Sequence, residues 1–234
     1  MRLRNPQRRV YIVVLLMAAG LFSAAFFGVP ALSAAAAESS LPPEVIVLDK
    51  TSNHSVSVFL SYYMLLPEEI RQDLVKTEHP IYLAPDGSYS CGHAGIYVPS
   101  DFIFNGHLYD SEENVTGTGL GYIGINCSSD SKIKMAAIHE VGHYVDERLG
   151  RIHGYAPNNL YEAMYFSEDP EFLRIYHEEA SRSGFPEWNL QDEQEYFAES
   201  FRYLFEDPAR LKNIPQTRAF MEKTLSDFYA IDFP

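Results

Sequence analysis

Apolar residues recur at helical spacing in the middle of the chain. The polar residues 128–131 are typical of a helix start, and Gly150 is a typical stop signal after Leu149. Between them, apolar side chains follow one another at intervals that place them on one side of a helix: Ile133, Ala136, Ala137, Val141, Tyr144, Val145 and Leu149. The pattern predicts one long helix that packs this side into a core.

Shorter apolar runs upstream predict strands, and the downstream segments predict helices. Residues 44–48 and 79–83 are typical strands, and residues 115–126 are strand-like but rich in glycine. Further helices are predicted at residues 170–181, 190–205 and 215–228. Strands followed by helices favour an α+β fold, with a small mixed sheet, a glycine-rich edge strand and a mostly helical second half.

The N-terminal segment has the composition of an export signal. Arg2, Arg4, Arg8 and Arg9 precede an apolar run over residues 10–29, and small residues follow at 33–37. We expect residues 1–37 to be removed near Ala37, which predicts a secreted, extracellular protein. The run is also long enough for an uncleaved membrane anchor.

The rest of the chain is predicted to form one domain, residues 38–234. Residues 38–128 form its strand-rich part and residues 129–234 its helical part. Residues 1–37 carry four arginines and no acid, so the formal charge of −14 becomes −18 without them. That charge argues against nucleic acid or an anionic membrane as partner. We expect a monomer that contacts a membrane only through an uncleaved N-terminal segment.

Two cysteines remain after the predicted signal, Cys91 and Cys127. In an oxidising compartment they could form one disulfide, and two structural thiols are the alternative. Their wide spacing makes a cysteine zinc site the weaker interpretation. We expect the disulfide.

The predicted long helix contains His139-Glu140-Val141-Gly142-His143. Two histidines four residues apart project from one side of a helix and can share a metal ion. Glu140 lies beside them, where a carboxylate can take a proton from a water that the metal activates. A helix that buries such polar groups needs interactions that offset the free-energy cost of removing them from water. The motif therefore predicts a zinc hydrolase with one Zn²⁺ per chain.

A catalytic zinc site needs a third protein ligand. Glu162 follows His143 by 19 residues, a spacing known from aminopeptidase-like enzymes, and Glu195 lies farther along. Metal-bound histidine usually donates its second N–H to a carboxylate or carbonyl. Glu199, one helical turn after Glu195, could accept that bond, and this favours Glu195 as the ligand. Asp146 is expected to orient a neighbouring group.

The His-Glu-Val-Gly-His run, combined with the later Glu195-Tyr196-Phe197-Ala198-Glu199, resembles the catalytic domain of anthrax lethal factor and the secreted Pro-Pro endopeptidases. The resemblance covers roughly residues 44–230, and the two helical motifs are its specific part. It implies a gluzincin-type site with His139, His143 and Glu195 as ligands and Glu140 as base. It also implies that a peptide pairs with the glycine-rich strand, which contains Gly119, Leu120, Gly121 and Tyr122.

The sequence departs from this family at one position. A tyrosine that stabilises the oxyanion is expected seven residues before the ligand glutamate, and that residue is Trp188. The indole N–H of Trp188 can donate one hydrogen bond but cannot act as a phenol does. Either a nearby tyrosine (Tyr155, Tyr161 or Tyr165) therefore fills the role, or zinc stabilises the oxyanion with less help. We expect a secreted zinc endopeptidase that cleaves extracellular proteins, and the resemblance to the Pro-Pro endopeptidases suggests proline-containing cleavage sites. The alternative is a non-catalytic binding module that keeps the fold.

Overall fold

The computed structural model describes residues 41–85, 104–107, 121–153 and 165–230. The predicted signal segment, Cys91, Gly119, Leu120, Tyr161 and Glu162 lie outside the described residues. Within these ranges, no helix combines the length and the apolar character that a bilayer-spanning segment needs.

A four-stranded sheet forms one layer. Its strands are β1 (Val45–Val47), β2 (Ile81–Ala84), β3 (Phe104–His107) and β4 (Gly121–Asn126), in the order β1-β2-β4-β3. β1, β2 and β4 are parallel, whereas β3 is antiparallel to β4. β1 and β2 thus lie close to the predicted strands at residues 44–48 and 79–83, and β4 coincides with the second half of the glycine-rich segment 115–126.

The edge position predicted for the glycine-rich strand is wrong. β4 lies between β2 and β3, and Tyr122 is paired with Gly106 and Gly121 with His107. The backbone of Gly121 and Tyr122 is therefore already engaged within the sheet. Among the described strands, β3 is the edge strand on this side of the sheet, because it pairs with β4.

Six α-helices and several 3₁₀ turns account for most of the remaining described chain. The helices are α1 (Asn53–Tyr63), α2 (Glu68–Lys76), α3 (Asp130–Ile152), α4 (Pro170–Glu179), α5 (Glu193–Glu206) and α6 (Pro215–Tyr229). The α+β class is confirmed, and α3, α4, α5 and α6 match the predicted helices closely. The sequence pattern did not clearly predict a helix at α1, although Val56, Phe59 and Tyr63 lie buried on one side of it.

Helix α3 lies at the centre of the fold, where it packs against β4 on one side and α1 and α5 on the others. Ile133, Ala137, Val141, Val145 and Leu149 are fully buried, as their spacing predicts. Burial of each large aliphatic side chain contributes about 1.5–3 kcal/mol. The site residues on α3 are therefore held by the main core.

Cys127 follows β4 and is a free, buried thiol. Burial raises its pKa to about 12, although a hydrogen bond with the Ala84 backbone acts in the opposite direction. In this structure Cys127 is not one half of the predicted disulfide. It packs in the apolar core with its Sγ 3.6 Å from the carbonyl oxygen of Ile125.

Candidate metal centre

Helix α3 presents His139 and His143 on one side, one turn apart. The helix begins where the Ser129 hydroxyl accepts the N–H of Lys132, as the polar start signal predicts. The two imidazole rings have centroids 4.9 Å apart and planes inclined by 83°. Together with Glu140 they form a group that could hold a metal ion, because one potential ligand atom from each of the three residues lies within 4.8 Å of the others.

Helix α5 brings a carboxylate to both imidazoles. Glu195 Oε2 lies 3.2 Å from His139 Nε2, and Glu195 Oε1 lies 3.5 Å from His143 Nε2. Zinc ligands at bond lengths near 2.0–2.1 Å stand about 3.3 Å apart at tetrahedral corners. The three side chains therefore converge at spacings that fit a shared zinc ion.

The position of Glu195 is fixed by the start of α5. The Asp192 side chain caps this helix by accepting the N–H of Glu195 at 2.9 Å. Glu195 therefore lies in the first turn, where the helix dipole also favours a carboxylate. The cap places the side chain against α3 without using a flexible loop.

Glu199, one turn further along α5, faces the other nitrogen of His139. Its Oε2 lies 3.3 Å from His139 Nδ1, and its side chain is fully buried. An Nδ1–H donated to this carboxylate leaves the Nε2 lone pair directed at Glu195. The structure thus brings Glu199 and His139 together.

The electrostatics of the cluster favour a bound cation. Burial lowers the pKa of His139, but the carboxylates of Glu195 and Glu199 outweigh burial and raise it to about 9. Burial acts to raise the pKa of Glu195, but the two imidazoles lower it well below its usual range. Negative charge thus surrounds His139, and a metal ion can take the place of the proton that this charge attracts.

Glu140 is buried next to the imidazoles. Its Oε1 lies 3.9 Å from His139 Nε2, farther away than either of the Glu195 contacts. Burial raises the pKa of Glu140, while His143 and His139 lower it in part. A raised pKa suits a carboxylate that accepts and returns a proton near neutral pH.

Asp146 does not hydrogen-bond to either histidine among the contacts described. Its Oδ1 accepts the backbone N–H of Ser167 at 2.6 Å and so holds the 3₁₀ turn 166–168 against α3. Burial raises its pKa to about 7, although hydrogen bonds with Ser167 lower it in part. Asp146 therefore orients a neighbouring segment.

The sequence comparisons identify the family. Residues 101–224 match the profile described as "Anthrax toxin lethal factor, N- and C-terminal domain", which is more than half of the chain. The chain belongs to this family. The resemblance of the two helical motifs to lethal factor is thus confirmed. No curated protein matches the chain.

The fold of this lethal factor family member is also similar to the folds of 20 solved chains, among them one endopeptidase. This is the Pro-Pro endopeptidase PPEP-2 from Paenibacillus alvei, with a TM-score of 0.49 and 22% sequence identity. The match covers 77% of this chain and 96% of that chain.

Trp188 stands where the lethal factor family is expected to carry its oxyanion tyrosine. It lies in the 3₁₀ turn 187–190, directly before α5, and its ring centroid is 6.0 Å from that of His139. The residue is 41% exposed, so its ring is partly open to solvent beside the cluster. Its indole N–H is the group that could donate a hydrogen bond there.

Sequence reasoning missed three residues that build this lethal factor family site. Asp192 is signalled by the Asp-x-x-Glu pattern of a capped helix start. Arg202 lies three residues after Glu199, and this helical spacing could have predicted the buried ion pair that the two side chains form. Gly142 lies inside the motif, but its role depends on the helix packed against it. A β-carbon on Gly142 would lie 2.8 Å from the Ala198 Cα.

Proposed function

We propose that the protein is a zinc-dependent endopeptidase. The observation that carries this proposal is the convergence of His139 Nε2 and His143 Nε2 on the Glu195 carboxylate, with Glu140 beside them. Membership of the lethal factor family supports a metallopeptidase-like function. His139, His143 and Glu195 would hold the ion.

A zinc ion in this position would supply a Lewis acid that polarises a carbonyl and acidifies water. The chain's own residues supply the proton transfers and the orientation. Glu140 accepts the proton of the attacking water and returns it to the leaving amine. Glu199 holds the His139 ring through Nδ1. Trp188, whose ring centroid lies 6.0 Å from that of His139, would donate its N–H to the negative charge that develops on the carbonyl oxygen.

We propose that a peptide substrate binds as an added strand. Main-chain hydrogen bonds to an outer strand are a common mode of peptide binding. Gly121 and Tyr122 pair with β3, so in our proposal the peptide aligns with β3 instead of with β4. Support for this assignment comes from α3, which packs against both strands. Extracellular proteins are the proposed substrates, with proline near the cleaved bond as one preference to test.

We also propose that the protein is exported. This part rests on the arginine-rich start, the apolar run and the small residues within 1–37. Sequencing the N-terminus of protein collected outside the producing cells would test it. A start near residue 38 is the expected result, and retention of residues 1–37 in membranes would indicate an anchor instead.

The catalytic proposal is tested by Glu140→Gln. A peptide library is digested with wild type and variant, with and without chelator. The variant should keep one zinc per chain and lose cleavage by roughly 10²–10⁴-fold, the usual contribution of a general base. Glu147→Gln is the matched control, because Glu147 lies on the same helix and pairs with Arg151.

Each outcome of this digest has a distinct meaning. Chelator-sensitive cleavage by Glu140→Gln at the wild-type rate would contradict the role of Glu140. Zinc binding by the wild type without chelator-sensitive cleavage of any peptide would favour the non-catalytic binding module. Absence of zinc from the purified wild type, even after incubation with the ion, would contradict the metal site itself.

A further inference from the structure

A line of alternating charges runs from the candidate metal centre to the protein surface. Glu199 Oε2 faces His139, and Glu199 Oε1 lies 3.0 Å from Arg202 Nη2. Arg202 Nε lies 3.3 Å from Glu206 Oε2, and Glu206 Oε1 lies 3.1 Å from Lys134 Nζ. The line joins α5 to α3 at both of its ends.

The inner part of this line is buried. Glu199 is fully buried and Arg202 is only 6% exposed, whereas half of the Lys134 side chain is open to solvent. A buried carboxylate without a compensating charge is costly, so the guanidinium balances the charge of Glu199. The contact between them is an ion pair without the alignment of a hydrogen bond.

Arg202 is itself held at several points. Its guanidinium carbon lies 4.4 Å from the centre of the Tyr203 ring, and its Nη1 lies 3.5 Å from the carbonyl oxygen of Met135 on α3. On the Nε side of the same group, Glu206 forms an ion pair, again without the alignment of a hydrogen bond. A planar group with this many neighbours has one preferred orientation, unlike a flexible lysine amine.

We infer that Arg202 is a positioning residue of the metal centre. It holds Oε1 of Glu199, so that Oε2 stays directed at His139 Nδ1 and the His139 Nε2 lone pair stays directed at the metal position. Arg202 touches neither substrate nor metal and acts only through Glu199. This inference rests on the proposed function, because it concerns affinity for the proposed zinc ion.

The test measures zinc affinity directly, by competition with a chromophoric chelator. Arg202→Met removes the charge but keeps the length of the side chain, and its Kd for zinc should rise about 10- to 100-fold. Arg202→Lys keeps the charge but cannot reach Glu199 and Glu206 together, so it should lose part of the affinity. Thermal unfolding of the metal-free proteins shows whether each variant is folded.

Arg148→Met is the matched control. Arg148 Nε pairs with the buried Asp73 at 3.1 Å and links α3 to α2, away from Glu199. Its loss should lower the melting temperature as the loss of a buried ion pair does, while the zinc Kd stays at the wild-type value. Equal weakening of zinc binding in Arg148→Met and Arg202→Met would show a general loss of stability and overturn the inference.

A double-mutant cycle with Glu199→Gln separates the two roles that Arg202 can have. If Arg202 acts through Glu199, Arg202→Met should change the zinc Kd less than twofold in the Glu199→Gln background. The same 10- to 100-fold loss in that background would overturn the inference. An unchanged Kd in Arg202→Met, or in Arg202→Lys if Arg202→Met does not fold, would overturn it as well.

Failure of the inference and failure of the proposed function are distinguishable. Wild-type protein that binds zinc, with variants that bind it equally well, overturns the role of Arg202 alone. Wild-type protein that binds no zinc overturns the proposed metal site and the role of Arg202 with it.

Discussion

Gly142 on α3 lies against the backbone of Ala198 on α5. A β-carbon on Gly142 would be 2.8 Å from the Ala198 Cα and 3.1 Å from its carbonyl oxygen. The two helices that carry the predicted ligands therefore make their close contact at a glycine of α3, which has no side chain to separate them. Ala198 lies between Glu195 and Glu199, so this contact sets the distance of both carboxylates from the imidazoles.

Gly142→Ala should weaken zinc binding. Alanine gains about 1 kcal/mol of helix propensity, but overpacking of a tight contact costs typically about 1–3 kcal/mol. We expect a net loss of stability and at least a tenfold rise in the zinc Kd, because α5 must move away from α3. Chelator competition and thermal unfolding measure the two effects.

Gly184→Ala is the control for this prediction. Gly184 has φ +70° and open space around its missing β-carbon, so alanine there costs stability through the backbone alone. Its zinc Kd should stay at the wild-type value. If zinc affinity falls in both variants in proportion to lost stability, the contact between Gly142 and Ala198 has no special role.

Glu195→Ala should abolish stoichiometric zinc binding, because two imidazoles alone are a weak site. Glu193→Ala, in the first turn of the same helix, should keep one zinc per chain. The measurement is metal content after dialysis against micromolar zinc. Glu162→Ala belongs in the same series, and loss of zinc there with retention in Glu195→Ala would identify Glu162 as the ligand.

Trp188→Phe tests the indole N–H. Phenylalanine keeps an aromatic ring near His139 but removes the donor, so kcat should fall on the order of a hundredfold while KM changes little. Steady-state kinetics on a peptide found in the library digest measure both. An unchanged kcat would assign the oxyanion contact elsewhere, and Tyr161 is then the next residue to replace.

Asp146 should make the stability of the metal-free protein depend on pH. Its folded pKa of about 7 lies above the unfolded value near 3.9. The favourable contribution of the protonated group is therefore complete below about pH 4 and is lost as the pH rises through 7. Between these two pH values, the free energy of unfolding falls by about 1.4 kcal/mol per pH unit.

Asp146→Asn should remove this dependence, because an amide can still accept the Ser167 N–H and does not ionise. Relative to the wild type, the variant should become steadily more stable from pH 4 to pH 7. Urea unfolding at several pH values in the presence of chelator measures the difference. Parallel pH profiles of the two proteins would contradict the burial-raised pKa.

Local patterns predicted the two helices that carry the candidate site. The periodic apolar positions of α3 fix which side carries His139 and His143, and a spacing of four residues links Glu195 to Glu199 in the same way. The strand order of the sheet was harder to predict, because β3 covers the edge of β4 and that pairing depends on residues distant in sequence. Gly142 and Arg202 were missed for a related reason, since their roles arise only where α3 meets α5.

All three predicted ligands lie on two helices that are anchored in the apolar core, and none lies on a loop. In a zinc finger the metal organises the chain, whereas here the apolar core holds both helices, and we expect the chain to fold without the metal. Zinc should therefore add stability only by mass action, about 4 kcal/mol at a thousandfold excess over its Kd. A chelator should empty the centre reversibly and leave a folded protein whose circular dichroism spectrum is unchanged.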